Sequence, residues 1–235
     1  MTQVTAIVLA AGQGKRFRST IPKPLVKVCS QPIIIFSLKI LSQHPSVKGV
    51  IVVVNPENKK GILAAIQKYH IKKITKVVEG GLLRQDSVYN ALQCLPQETD
   101  VVLIHDGARP FLQKAWVTNV IQLAAQQGAA IVGMPVKATI KKVAQRATRQ
   151  TASRFLVQKT LDRSQLWEIQ TPQAFKKDII VKAYARYGNI SVTDDAALVE
   201  RMGKRVHVIE SSYSNIKITT PEDLILAEAI VRKYC

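Results

Sequence analysis

The chain has 235 residues, 47% hydrophobic and 21% charged, a globular balance that argues against a wholly disordered protein. Its 34 Lys and Arg against 16 Asp and Glu give a formal charge of +18. Such a field attracts polyanions (nucleic acid, an anionic membrane, phosphorylated small molecules), or else it is only an excess of solvated lysines. No apolar run is long enough for a bilayer, the first residues carry no signal- or transit-peptide pattern, and Cys29, Cys94 and Cys235 form no CxxC pair. A disulfide scaffold and a zinc ribbon are therefore disfavoured, and a reduced, soluble, cytoplasmic protein is expected.

In chain order, residues 5–9 are apolar and rich in β-branched side chains, which predicts a buried strand running into a loop with Gly12 and Gly14. A helix is expected over 33–41, where apolar residues recur at three- and four-residue spacing. Further strands are expected at 50–54, ended by Asn55-Pro56, and at 76–78, ended by Gly80-Gly81. The run at 101–104 is ended by His105-Asp106-Gly107, and that at 129–132 by Gly133 and Pro135; a last strand falls at 205–209. Helical patterns at 59–69, 85–95 and 115–126 lie between them. A final helix begins near Thr220, with Pro221 in its first turn, Asp223 three residues after the cap, and Leu224, Ala227 and Ile230-Val231 on its packing face.

Strands alternating with helices predict an α/β fold, a Rossmann-like three-layer sandwich around a mostly parallel sheet, with residues 1–235 as one domain. Residues 136–164 break the rhythm. From Lys137 to Arg163 there are eight basic residues and one acid, Asp162, with weak periodicity. They read as an extended β-arm or hairpin, or as a long disordered loop.

Ligands of such a sheet bind beyond the carboxyl ends of its strands. The first loop there, Leu9-Ala10-Ala11-Gly12-Gln13-Gly14-Lys15-Arg16-Phe17, suits a close backbone approach to phosphate oxygens. It is not a Walker A loop, because Arg16 follows Lys15, nor a dinucleotide fingerprint, because Phe17 stands at the third glycine. Lys15, Arg16 and Arg18 add cations, and Pro22 and Pro24 stiffen the chain around Lys23, which is either presented to a polyphosphate or solvated in a turn. Asp106, at the end of an apolar strand, is placed to hold Mg²⁺ or serves as a turn aspartate.

Several blocks carry a resemblance: Ala10-Ala11-Gly12-x-Gly14-x-Arg16 with Pro22-Lys23; Gly80-Gly81-x-x-Arg84-x-Asp86-Ser87-Val88; His105-Asp106-Gly107-Ala108-Arg109-Pro110; Thr160-Leu161-Asp162-Arg163; Gln170-Thr171-Pro172-Gln173; Thr193-Asp194-Asp195; and Asn215-Ile216-Lys217-Ile218-Thr219. Together, over nearly the whole chain, they resemble the 2-C-methyl-D-erythritol 4-phosphate cytidylyltransferases among the sugar-type nucleotidyltransferases. Pro24 stands where those enzymes commonly carry Gln, and Gly107 where they often carry Ala.

The resemblance implies joining of CTP to a polyol phosphate with release of pyrophosphate, assisted by Mg²⁺ held with the help of Asp106. It implies catalytic roles for Arg16, Lys23 and Lys217. Nucleotide binding would fall to Ala10, Ala11, Gly12, Gly14, Gly81, Arg84, Ser87 and Asp106, and binding of the methylerythritol phosphate to Arg109, Thr139, Arg163, Thr171 and Thr193. It also implies a homodimer in which residues 136–164 reach the partner's site. Two other readings stay open at this point: a ribitol- or other polyol-phosphate cytidylyltransferase, and a basic module that binds RNA or DNA. Against the last, the arm holds one aromatic residue, Phe155, where single-strand binders interleave several.

Overall fold

The computed structural model describes residues 2–12, 17, 21–145 and 155–234. The first part of the chain forms β1 (Val4–Leu9), a 3₁₀ turn at Lys23–Leu25, the short strands β2 (Lys27–Val28) and β3 (Gln31–Pro32), α1 (Ile33–Gln43), β4 (Val47–Val54) and α2 (Pro56–Lys68). Next come β5 (Ile74–Glu79), α3 (Arg84–Leu92), β6 (Val101–Asp106), α4 (Lys114–Gln127) and β7 (Ala129–Pro135). The remainder forms β8 (Lys141–Gln145), β9 (Phe155–Thr160), a 3₁₀ turn at Arg163–Gln165, β10 (Trp167–Lys176), α5 (Lys177–Tyr187), α6 (Ala196–Arg201), β11 (His207–Glu210) and α7 (Pro221–Tyr234).

Seven strands make one sheet in the order β11-β7-β10-β6-β1-β4-β5. Every neighbouring pair is parallel except the two that β10 makes, with β7 and β6. β1, β4, β6 and β7 read as nearly continuous apolar runs because both their faces are covered. Val4, Ala6 and Val8 of β1 and Val101 and Leu103 of β6 face one core, with α1, α2 and α4. Ile7, Val102 and Ile104 face the other, with α3, α5 and α6. The period of two along a strand thus assigns alternate residues to two cores. A third, smaller cluster seats Ala227 and Val231 of α7 on Phe17, Val28, Ile33 and Ile218.

The expected strands and helices are present, with ends displaced by a few residues. Besides the short β2 and β3, three elements were not anticipated. β10 lies in mid-sheet although Pro172 and the polar Gln170, Thr171 and Gln173 read as loop; its pairing to β7 breaks between Gln170 and Gln173, which accommodates the proline. α5 and α6 also went unread. Residues 141–145 and 155–160 pair as antiparallel strands of a hairpin separate from the main sheet; Arg146, Arg149 and Arg154 of the basic stretch lie outside the described residues. At α7, Asp223 accepts hydrogen bonds from the N–H groups of Thr219 and Thr220 at 2.7 and 2.9 Å, which secures the expected helix start.

Candidate functional site

At the carboxyl ends of β1, β4 and β6 the sheet opens on a cavity of about 730 Å³. Its wall takes Ala10, Ala11 and Gly12 from the end of β1, Lys23 and Pro24 from the first 3₁₀ turn, and Asn55 to Glu57 from the start of α2. Gly80 to Arg84 and Ser87 close a second side, and Asp106, Ala108 and Lys217 the floor. Segments far apart in sequence thus meet there, and those at 10–12, 55–57, 80–84 and 106–108 do so because parallel strands deliver the residues that follow them to the same edge.

The backbone of the first loop is held from outside. Asn58 donates its side-chain N–H to the Ala10 carbonyl at 2.8 Å and Asn55 to that of Ala11 at 3.2 Å. The same two asparagines cap α2 reciprocally, each side chain accepting the other's backbone N–H. Each carbonyl keeps a second lone pair for a ligand. Across the cavity, Gly81 donates to Ser87 Oγ at 3.2 Å and Leu83 to Asp86 Oδ2 at 2.9 Å. A Cβ on Gly80 would collide with Ala11 and stand 2.6 Å from Ser87 Oγ, so glycine there lets the two loops touch. At Gly12 a Cβ would meet nothing within 4 Å among the described residues. Gly12 itself lines the cavity.

Asp106 anchors a cluster of charges. Lys217 Nζ lies 2.7 Å from its Oδ2, Arg84 Nε 3.4 Å from its Oδ1, and Arg109 Nε 3.8 Å from its Oδ2. Burial alone would raise the Asp106 pKa, but Arg84, Lys217 and Arg109 outweigh it and hold the carboxyl well below the usual range. Arg84 also pairs with the fully buried Asp195, its Nη2 lying 2.8 Å from Oδ2. Burial opposes its charge, yet Asp195 and Asp106 prevail and raise its pKa further. Two carboxylates thus face three cations, and the excess is positive where the cavity opens.

His105 and Thr171 fix the geometry of this floor. A carbonyl can only accept, so His105 Nε2–H donates to Arg109 O at 3.1 Å. His105 Nδ1 is then left to accept from the Thr171 hydroxyl at 3.1 Å, and that hydroxyl accepts in turn from Asp106 N–H at 3.1 Å. Burial pushes the imidazole pKa down to about 4, so the ring is neutral at physiological pH. Arg109 is locked by a 2.7 Å donation to Asn215 O, and Asn215 by donations to Gln170 Oε1 and Thr171 O.

The expected site residues therefore divide. Ala10, Ala11, Gly12, Lys23, Gly81, Arg84, Ser87, Asp106 and Lys217 line one cavity. Arg109 and Thr171 are buried behind it. Thr193 lines a second cavity of about 510 Å³ with Trp167 and Asp194. Thr139 and Arg163 are exposed at the foot of the β8–β9 hairpin and do not line the first cavity of their own chain, Arg163 instead donating to Lys137 O. Gly14 and Arg16 lie outside the described residues. Sequence reasoning missed Asn55, Asn58 and Asp195 as supports; the available signals were Asn55-Pro56 after a strand and the Thr193-Asp194-Asp195 block, in which only Thr193 was given a role.

Among the described residues no group of three or more His, Cys, Asp or Glu could hold a metal ion. The Asp106 carboxylate on the cavity floor, ionised at neutral pH, does suit a Mg²⁺ that brings most of its oxygen ligands on substrate phosphates. Among the described residues no helix is long and apolar enough to cross a membrane.

Residues 4–233 match the family model described as 2-C-methyl-D-erythritol 4-phosphate cytidylyltransferase. A protein of that name from Geobacillus thermodenitrificans is 43% identical over 228 residues, with 96% of each chain covered. One from Pelotomaculum thermopropionicum is 41% identical, covering 99% of this chain and 95% of the other. Among solved structures, the 4-diphosphocytidyl-2C-methyl-D-erythritol synthase of Anaerococcus prevotii superposes with a TM-score of 0.83 at 30% identity, covering 98% of this chain and 96% of that one. The chain belongs to the 2-C-methyl-D-erythritol 4-phosphate cytidylyltransferase family.

Proposed function

We propose that this member of the family transfers the cytidylyl group of CTP to 2-C-methyl-D-erythritol 4-phosphate, releasing pyrophosphate, as a step of non-mevalonate isoprenoid biosynthesis in the cytoplasm. The observation that carries the reading is the cavity itself, lined at the sheet's exit edge by Lys23, Arg84 and Lys217, the last two ion-paired with Asp106. Two polyanions must meet for the reaction to occur, and their mutual repulsion is the barrier that such cations lower. The attacking group, a phosphate monoester, has a second pKa of about 6 and is already anionic at neutral pH. No general base is required, and the neutral, fully hydrogen-bonded His105 suits a supporting role.

In this reading the triphosphate lies between Lys23 and Lys217, with Arg16 on the same loop as Gly12 and Gly14. Lys217 leaves Asp106 for the α-phosphate as charge builds in the transition state. Ala10, Ala11, Gly81 and Ser87 frame the base, Arg84 standing beside them. A Mg²⁺ bound by Asp106 and the phosphates would neutralise charge on the triphosphate. Arg109 and Thr171 shape the floor on which the methylerythritol phosphate rests, with Thr193 towards its far end.

Thr139 and Arg163 come from the partner subunit of a homodimer. The exposure of Val143, Phe155, Leu156 and Val157 on the hairpin supports that assignment, because a row of apolar side chains on an arm is a contact surface in waiting. The free Cys29 and Cys94 support a reducing compartment.

A product assay offering CTP, UTP or ATP with 2-C-methyl-D-erythritol 4-phosphate or ribitol 5-phosphate tests the reading. Pyrophosphate release is expected with the first of each. A clear preference for ribitol 5-phosphate, or for UTP, would overturn it.

A further inference from the structure

We propose that Asp195 is a positioning residue for this reaction, holding Arg84 against the nucleotide from behind and, together with Gln85, joining the seats of the two substrates into one unit. The proposal rests on the placement of the nucleotide beside Arg84 and of the sugar phosphate near Thr193.

Arg84 opens α3, directly after the Gly80-Gly81 loop. Its guanidinium reaches two carboxylates, and the closer contact is with Asp195, 2.8 Å against 3.4 Å to Asp106. Asp195 is not in the cavity wall and is fully buried. Its Oδ1 accepts the Tyr184 hydroxyl at 2.6 Å. Its Oδ2 has no hydrogen bond of good geometry among the described residues and is balanced by the charge of Arg84. A buried carboxylate carries a heavy desolvation cost that a well-packed apolar residue would avoid. Here it is aimed by a tyrosine at one arginine whose other edge meets the cavity floor. That arrangement fixes the guanidinium in place, which a mobile arginine paired only with Asp106 would not achieve.

The neighbouring residue makes the second link. Gln85 donates from Nε2 to Gly188 O at 2.7 Å and accepts at Oε1 from Val192 N–H at 3.3 Å. Asp194 accepts from Gln173 Nε2 at 2.8 Å and from Ala197 N–H at 3.2 Å. Thr193 therefore stands between two anchored neighbours, on a segment bolted to the residue beside Arg84. A shift of one seat would carry the other with it.

Asp195→Asn keeps the acceptor for Tyr184 and removes the charge. CTP affinity by calorimetry and the steady-state constants for both substrates are the readouts. For Asp195→Asn, Kd and KM for CTP should rise about tenfold with kcat held within about threefold, and the rise should vanish in an Arg84→Ala background, as a residue acting through Arg84 requires. Should Asp195→Asn not fold, Tyr184→Phe takes its place, with an expected rise of about threefold in KM for CTP. An unchanged KM, or an effect of equal size with and without Arg84, would leave Asp195 merely structural and overturn the proposal. If the unaltered protein itself neither bound CTP nor released pyrophosphate, the functional reading would fall first and this proposal with it; turnover by the unaltered protein alongside an indifferent Asp195→Asn would sink only the positioning role.

Discussion

The charge cluster on the cavity floor and the β8–β9 hairpin are both rich in cations, yet they are built oppositely. Around Asp106 every cation has a carboxylate or carbonyl to answer it, and Asp106 and Arg109 are buried beneath the sheet's edge. On the hairpin, Lys141, Lys142 and Lys159 are exposed, and so are the apolar Phe155, Leu156 and Val157 beside them. The floor is complete within one chain. The hairpin is organised within one chain but leaves its apolar side chains in water. Determinate geometry on the floor lets small displacements matter for chemistry, whereas the hairpin's exposed apolar side chains are what the proposed homodimer would cover.

The sharpest way to test this contrast is Lys217→Ala. Lys217 is half-buried and its partner is Asp106, so the substitution removes a cation from the cavity while α7 and the sheet stay packed. Turnover should fall about 10²–10³-fold, as for other donors that meet transition-state charge, with the thermal midpoint nearly unchanged. Steady-state rates and a melting curve check both. Near-full kcat in Lys217→Ala would mean that the floor's charges serve folding alone.

A pH titration of stability probes the same floor. His105 has its pKa lowered to about 4 by burial, against about 6.5 unfolded. Between those values the unfolded chain binds a proton that the folded one does not, so stability falls as the pH falls from about 6.5 to about 4. The loss is about 3 kcal/mol over that window. Asp106 acts lower: its depressed pKa contributes stability that persists above the ordinary carboxylate range and is lost only in stronger acid. Chemical denaturation at several pH values should show the slope, and His105→Gln should flatten it between pH 4 and 6.5. A slope that survives His105→Gln would have to come from other groups.

The hairpin answers to a complementation test. If each site takes Lys23 from one chain and Arg163 from its partner, a mixed dimer of Lys23→Ala and Arg163→Ala chains has one intact and one doubly broken site. Random assortment then restores about a quarter of the original activity in co-expressed protein, by the two-fold symmetry of the dimer. With both residues serving the same chain's site, mixing two inactive proteins restores nothing.

What could be read in advance follows from how each feature is encoded. β1, β4, β6 and β7 were legible because strands buried on both faces must be apolar throughout. β10 was not, because its pairing to β7 breaks between Gln170 and Gln173 and its buried polar Gln170 and Thr171 are bonded to Asn215 rather than to water. Asp106, Gly81 and Arg84 stood out by motif and by position after strands, and Lys217 by motif alone. The partnership of Arg84 with Asp195, or of Asn58 with the Ala10 carbonyl, joins residues that only the folded sheet brings together, and no local pattern announces it.

The smallest expected effect is the most discriminating for the arm. Ile104 on β6 and Leu156 on β9 are both aliphatic strand residues, but Ile104 is fully buried and Leu156 is 57% exposed. Ile104→Ala should cost about 2–5 kcal/mol of folding free energy, for the lost transfer and the cavity left behind. Leu156→Asn, measured at concentrations where the chain is monomeric, should change folding by less than about 0.5 kcal/mol, because little of its surface leaves water within one chain. Its effect belongs instead to association, and sedimentation at rising concentration should show a weaker dimer. A large folding cost for Leu156→Asn would mean that the hairpin packs on its own sheet. An undiminished dimer would mean that some other surface joins the subunits, leaving Arg163 with no partner site to reach.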